Sequence, residues 1–329
     1  MKAQNHRIRV GIIGYGNLGR GVEMAISQNQ DMELVGIFTR RDPSTLASQA
    51  AAYNLQEVES FQDKIDVMVL CGGSAKDLPE QVPYIAKYFH TVDSFDTHAK
   101  IPEYLEVVDQ AASASGKVSV ISTGWDPGLF SLLRLLGQSV LPEGGDTHTF
   151  WGKGLSQGHS DALRRLEGVK GAVQYTIPKE EVLQEVRSGK PVTLSAADKH
   201  ERVCYVVADE GVDLEDLQHR IKTMPHYFAD YKTTVHFISE EELRKEHSNM
   251  PHGGTVIHTG ESKVGDKQRV EFTLALDSNP AFTASVLVAY ARAAFRLAQQ
   301  GQSGAKTVFD IPFGLLSARP IDELIKELL

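Results

Sequence analysis

The chain is poor in cysteine and tryptophan, with two of each in 329 residues, and it carries no surplus of positive charge. So few cysteines exclude a disulfide-stapled scaffold. Cys71 ends the apolar run VMVLC and Cys204 sits inside VCYVV. Both read as buried free thiols in a cytoplasmic protein, although sequence alone leaves a pairing between them open. With 34 basic against 43 acidic residues the net charge is −9, which sets aside nucleic acid and anionic membrane as main partners. No uninterrupted apolar run reaches the roughly 18 residues of a membrane span. The N-terminus, MKAQNHRIRVGIIGYG, lacks the apolar core and cleavage site of a secretory signal. Repeats and low-complexity tracts are missing too. No His or Cys spacing of the kind that holds zinc occurs, so no metal is expected.

What is present reads as a globular chain. Hydrophobic residues make up 41% and charged ones 23%, ordinary proportions for a packed fold, and the length suits two domains or one large one. Over the first 125 residues, the apolar runs IRVGIIG, LVGIF, IDVMVLC, HTVDSF and KVSVIS alternate with helix-like stretches. Continuous apolar strands separated by helices predict a parallel sheet covered on both faces. One of those stretches, IPEYLEVVDQAASASG, opens near a proline and closes on a glycine, as a helix with proper stops should. From about residue 147 the strands lengthen and several alternate apolar with polar residues: THTFWG, GAVQYTIP, ERVCYVVA, KTTVHFIS and QRVEFTLAL. Helical segments, EEVLQEVRSG and LEDLQHRIKTM, interrupt them. This texture predicts a second, α+β domain with a mostly antiparallel sheet. A long helix follows, with Pro280 in its first turn and Gly301 at its end. The closing IDELIKELL is amphipathic. The expected division is residues 1–125, residues 126–300, and a C-terminal segment, 301–329, that packs back on the first domain.

The strand IRVGII runs into Gly14-Tyr15-Gly16-Asn17-Leu18-Gly19 and then a helix. A dinucleotide needs each glycine for a different reason. The first makes the tight turn, the second lets the backbone approach the pyrophosphate, and the third lets helix and strand pack closely. The helix N-terminus then offers N–H groups and a positive dipole end to the phosphates. The first domain is therefore expected to be a Rossmann-type α/β unit. An acid for the ribose hydroxyls belongs about 20 residues beyond the glycines. That position is Thr39, followed by Arg40 and Arg41. A guanidinium grips a phosphate with two prongs where an acid would repel it, which points to NADP(H) over NAD(H). A solvated arginine pair is the plainer alternative.

Ligands of open α/β sheets bind beyond the carboxyl ends of the strands. Cys71, Gly72, Gly73 and Ser74 follow one strand, Asp93 and Asp96 another, and Thr123, Gly124, Trp125, Asp126, Pro127 and Gly128 a third. Asp126 can be read as a helix cap. Two acids at neighbouring strand ends also suit an amine, since each ammonium–carboxylate contact at about 4 Å is on the order of 4 kcal/mol before desolvation. The second domain offers His159, Asp161, Arg164, Arg165, Thr176, Arg202, His252 and Asn279. The residues by themselves reach an NADP-linked oxidoreductase acting on an amine-bearing substrate.

GYGNLGR, GIFTRR, TVDSFDTH, STGWDPG, HTFWGKGLSQGHSDALRR, VQYT, TMPHYF, MPHGG, DSNPAFTAS and QQGQSGA together closely resemble the meso-diaminopimelate D-dehydrogenases, from about residue 7 to 310. The resemblance implies oxidation of the D-centre of meso-diaminopimelate by NADP⁺ and water to L-2-amino-6-oxopimelate, ammonia and NADPH. It implies a homodimer acting in lysine and cell-wall precursor supply. It implies cofactor contacts from Tyr15, Asn17 and Leu18 in the glycine loop, and from Thr39, Arg40 and Arg41. Further cofactor contacts fall on Cys71, Gly72, Gly73 and Ser74, on Ser94, Phe95 and Asp96, and on Thr123, Gly124, Trp125, Asp126 and Pro127. It implies substrate contacts from Asp96, Asp126, Trp151, Gln157, Gly158, Thr176, Arg202, His252 and Asn279. Asp96 and Asp126 would be the catalytic pair, and Asp161 a less direct neighbour. A dehydrogenase of other D-amino acids and a non-catalytic NADP-binding protein are the competing readings.

Overall fold

The computed structural model describes residues 7–143 and 145–329. It divides into two compact units, residues 1–132 with 280–329, and residues 133–279. The first unit holds β1 (Ile8–Ile13), β2 (Met32–Thr39), β3 (Ala52–Asn54), β4 (Val67–Leu70), β5 (His90–Asp93) and β6 (Val118–Val120). The second holds β7 (Thr147–Trp151), β8 (Gly154–Leu155), β9 (Val169–Pro178), β10 (His200–Ala208), β11 (Thr233–Phe237), β12 (His252–Glu261) and β13 (Lys267–Leu276). The chain then returns to the first unit for β14 (Gly304–Lys306).

The first unit is the expected parallel sheet, seven strands in the order β14-β6-β5-β4-β1-β2-β3, every pairing parallel. Strand alternation divides the apolar side chains between its two faces. Val10, Ile12, Val67, Val69, Val118 and Val120 pack on one face, against Val22 and Ile26 of the helix Asn17–Ser27. Met68, Leu70 and Phe38 pack on the other, against Leu78 and Val82 of the helix Leu78–Ile85 and Val108 of the helix Ile101–Ala114. The edge strands β3 and β14, three residues each and only partly buried, lie outside any apolar run and are not read from sequence.

The long helix Asn279–Gln299 corrects the expected domain division. From Pro280 onward it belongs to the first unit, where Ala284, Leu287, Ala291 and Ala294 join the same core as Val10 and Ile12. The units accordingly part at residues 132 and 279 rather than 125 and 300. This helix is also long and apolar enough, by length and composition, to cross a membrane. Arg292 and Arg296 interrupt its apolar run in the sequence. Its buried Arg292 donates to Asp31 at 2.6 and 2.8 Å and to the Leu316 carbonyl at 2.7 Å, and that bond holds the Asp31 carboxyl below its ordinary range. Of the C-terminal segment, Val308 and Ile311 enter the core, while the helix Ile321–Leu328 leaves Ile321, Ile325 and Leu328 exposed.

The second unit carries two sheets where one was expected. One is four-stranded, β11-β10-β9-β8, and the other three-stranded, β13-β12-β7. All pairings are antiparallel except β10 with β11. Helix Leu214–Lys222 lays Leu217 and Ile221 on the face of the four-stranded sheet that presents Ala172, Cys204 and Val206.

Candidate active site

The glycine loop meets its three requirements separately. Gly14 has φ +88°, a left-handed turn. A Cβ on Gly16 would meet nothing within 4 Å, so the loop is open where a phosphate must approach. A Cβ on Gly19 would lie 2.2 Å from the Gly14 carbonyl oxygen, so helix and strand can touch only through glycine. Gly16 caps the helix Asn17–Ser27 without a side-chain hydrogen bond, which leaves its first turn addressed to a ligand. Tyr15 is buried, its hydroxyl bonded to Glu23, so it faces the loop by its backbone. Its carbonyl accepts from Arg41 at 2.5 Å. Arg41 thereby lies along the loop, and its N–H donates to the buried Thr39 hydroxyl at 3.1 Å.

Arg40 is paired with Asp77 at 2.8 Å, its side chain 68% exposed. An exposed pair of this kind is worth about 0–1 kcal/mol, little against a phosphate. Asp77 also accepts from the Gly73 N–H at 2.9 Å, and a Cβ on Gly72 would lie 2.7 Å from its own Cβ. It thus ties the loop after β4 to the arginine after β2. Sequence reasoning missed it, because Asp77 occupies a helix-cap position before Leu78 yet caps nothing. Cys71, the other strand-end residue there, is held as a thiol by burial, which pushes its pKa up.

Asp96 is exposed, and its N–H donates to the Ser74 hydroxyl at 3.1 Å. Asp126 is half-buried in a turn closed by Leu129 N–H to Gly124 carbonyl at 3.0 Å and Phe130 N–H to Trp125 carbonyl at 2.8 Å. Trp125 and Phe130 pack edge to face at 5.3 Å. A Cβ on Gly128 would lie 2.0 Å from the Gly124 carbonyl, so this turn requires glycine. The two acids follow the adjacent parallel strands β5 and β6.

In the second unit, Thr176 on β9 is the register partner of both Arg202 on β10 and Gly154 on β8. Arg202 Nη1 donates to the Thr176 hydroxyl. Arg202 is 7% exposed, its guanidinium lies 4.0 Å from the Tyr231 ring centroid, and its Nε has no hydrogen-bond partner. Among the described residues no acidic side chain pairs with it. Burial pushes its pKa down. A Cβ on Gly154 would lie 2.4 Å from the His252 ring, so only glycine lets that imidazole lie beside Thr176's strand. Burial pushes the His252 pKa down as well. Arg202, Thr176 and His252 therefore form one row, with a neutral hydroxyl between two cation-capable groups.

Trp151 stacks on His200 at 5.5 Å, and its N–H donates to His200 Nε2 at 2.8 Å. Nε2 thus accepts, so Nδ1 carries the proton and donates to the Ala196 carbonyl at 2.9 Å. Burial lowers the His200 pKa to about 4, which keeps that tautomer neutral. Gln157 Nε2 reaches the Met250 sulfur at 3.2 Å, and the Asn279 N–H reaches the Met250 carbonyl at 2.9 Å. Nothing stands within 4 Å of a Cβ on Gly158. The other polar residues of this stretch serve the fold. Asp161 pairs with Arg164, whose Nη1 reaches the Ala172 carbonyl at 2.8 Å, and His159 bonds Ser156 at 2.8 Å.

The family model for the diaminopimelic acid dehydrogenase C-terminal domain matches residues 124–278. The meso-diaminopimelate D-dehydrogenase of Ureibacillus thermosphaericus is 64% identical over 325 residues, spanning 98% of this chain and 99% of its own. The chain belongs to the diaminopimelate dehydrogenase family. The resemblance seen in the motifs holds for structure as well. The Corynebacterium glutamicum diaminopimelate dehydrogenase, solved in complex with DAP, superposes with a TM-score of 0.92 at 49% identity, covering 98% of this chain and 99% of that one. An engineered D-amino acid dehydrogenase bound to NADP⁺ gives a TM-score of 0.87 at 48% identity, covering 98% and 100%. Against this background, the residues that sequence reasoning missed are supports of the candidate site residues. Asp77 and His200 each hold a motif residue, and Tyr231 backs Arg202, from places distant in sequence.

Proposed function

We propose that the chain catalyses the NADP-dependent, reversible oxidative deamination of the D-centre of meso-2,6-diaminopimelate to L-2-amino-6-oxopimelate and ammonia. The observation that carries the substrate is Arg202. A guanidinium out of water is costly unless an anion meets it. A buried fork with an unpartnered Nε suits a carboxylate delivered by a ligand. Thr176 and His252, in the same row, complete a grip on the end of the substrate that does not react. Such a far-end clamp distinguishes the two centres of a nearly symmetric molecule, because it decides which hydrogen is presented for reaction.

For the cofactor, the open face at Gly16, the uncapped helix start and the Arg40–Arg41 pair support NADP. When bound, NADP⁺ supplies the hydride acceptor. The chain's own residues deal with the amine. The ammonium must lose a proton before its carbon can be oxidised, and a carboxylate is suited to orient it and relay that proton. We assign this to Asp126, with Asp96 as electrostatic partner. Trp151, Gln157, Gly158 and Asn279 are assigned to the substrate. The strand-end segments 71–74, 94–96 and 123–127 are assigned to the cofactor.

We place the protein in the cytoplasm, where its two unpaired thiols stay reduced, and as a homodimer. The second unit exposes Leu135, Leu136 and Val140 on one helix and Phe272 on the edge strand β13, apolar surface suited to a second copy. The experiment that tests the substrate is Arg202→Met combined with Thr176→Ile. Diaminopimelate turnover should be lost while NADPH binding survives. Unchanged turnover would reject the clamp.

A further inference from the structure

At the end of β5, Asp93 is fully buried. Its Oδ1 accepts from the Phe95 N–H at 2.8 Å and the Ser122 N–H at 3.2 Å, and its Oδ2 from the Tyr104 hydroxyl at 3.0 Å. Its carbonyl accepts both the N–H of Thr123 at 2.9 Å and the Thr123 hydroxyl at 2.7 Å. One residue therefore fastens two strand-end segments, one leading to Asp96 and the other to Asp126.

The second segment needs fastening. Ser122 has φ +54°, a left-handed backbone that a non-glycine residue keeps only when its surroundings impose it. Its own hydroxyl is buried without a hydrogen-bond partner, so the side chain does not hold the turn. The bond from its N–H to Asp93 does. On the first segment, Phe95 stacks on Tyr104 with ring centroids 4.1 Å apart and planes 23° apart. Tyr104 in turn donates to Asp93, which fixes the backbone one residue before Asp96.

We propose that Asp93 is a positioning residue of the reaction, a buried latch that sets the directions from which Asp96 and Asp126 reach the amine. This rests on the roles assigned to those two acids above. The latch works through the backbone and touches no reacting atom. Burial pushes Asp93 up to about 6, and the bonds from Phe95, Ser122 and Tyr104 offset part of what burial costs its ionised form.

The test is Asp93→Asn in the full-length enzyme. The amide oxygen can still accept from Phe95 and Ser122, and the Tyr104 hydroxyl can turn to accept. The charge that shortens and directs those bonds is lost. At pH 7.5 the folded variant should lose at least tenfold in kcat for meso-diaminopimelate, with a smaller loss of NADPH affinity, since segments 94–96 and 123–127 are assigned to the cofactor as well. Adding Ser122→Gly, which adopts the left-handed backbone freely, should restore part of that kcat. Parent-like kcat and KM in the folded single variant would overturn the proposal. So would a loss of kcat that Ser122→Gly leaves untouched. If Asp93→Asn does not fold, Tyr104→Phe, which removes one donor and keeps the carboxylate, takes its place. It should lower kcat with NADPH binding retained, and parent-like kcat there would equally overturn the latch. Asp126→Asn measured alongside separates the two ideas. Normal turnover in Asp126→Asn removes the site assignment itself. Lost turnover there with normal turnover in Asp93→Asn removes the latch alone.

Discussion

Replacing Gly16 and Gly19 by alanine, one at a time, should weaken cofactor binding in both cases but cost stability mainly at Gly19. At Gly16 the new methyl enters open space, at an N-cap with φ −90° and ψ −153° that alanine can adopt. The expected stability loss is under about 1 kcal/mol, the usual difference between good and poor caps. The methyl would stand where the phosphates must approach, however. Losing one charge-assisted hydrogen bond there costs about 1.5–3 kcal/mol, so the NADPH dissociation constant should rise roughly tenfold to a hundredfold. At Gly19 the methyl would lie 2.2 Å from the Gly14 carbonyl oxygen and 3.1 Å from its carbon. Those are backbone atoms that cannot swing aside, so the helix must lift from the strand. Overpacking of this kind costs about 1–3 kcal/mol, or a melting-temperature fall of roughly 3–10 °C, and cofactor binding weakens as well. Thermal melts without ligand, with titration of NADPH fluorescence, measure both quantities. A Gly16 variant that loses stability but binds NADPH normally would refute the reading of the loop.

Removing both cations with Arg40→Ala and Arg41→Ala should cut the preference for NADP over NAD by at least tenfold, measured as the ratio of kcat/KM values. A preserved ratio would return the pair to ordinary surface. Asp126→Asn should lower kcat about a hundredfold or more with diaminopimelate, the loss expected of a positioned proton acceptor. Stability should also carry the mark of Asp93. Burial pushes its folded pKa from the ordinary 3.8 up to about 6, so the group favours folding while protonated. That contribution is complete below about pH 3.8 and is lost as pH rises through about 6, on the order of 3 kcal/mol over the interval. Denaturant melts across this range should lose that slope in Asp93→Asn.

The first unit was legible because parallel strands buried on both faces are continuous apolar runs, and five of its seven strands fall in such runs. β3 and β14 are edge strands outside any apolar run, and the two-residue β8 carries no pattern to see. β12 was hidden differently, since it opens His252-Gly253-Gly254 and is buried on both faces, so it lacks the alternation that marks β13. The helix after Asn279 was found but given to the wrong domain, because it is apolar nearly all round and its sequence does not say which core it enters. The glycine loop and the strand-end acids were readable from spacing alone. What spacing does not contain is the set of residues that hold them. Asp77, Tyr231 and His200 look like a cap, a surface aromatic and a stray histidine until the fold brings Arg40, Arg202 and Trp151 against them.

The central claim is that one centre of a two-ended amino acid is oxidised because the other end is clamped. The most direct measurement is NADP⁺ reduction with the separated meso, L,L and D,D isomers of diaminopimelate. The account predicts rapid NADPH formation with the meso isomer, none with L,L, and little with D,D, whose far end presents the wrong configuration to Arg202, Thr176 and His252. Equal rates with meso and D,D, or no NADPH with meso, would contradict it.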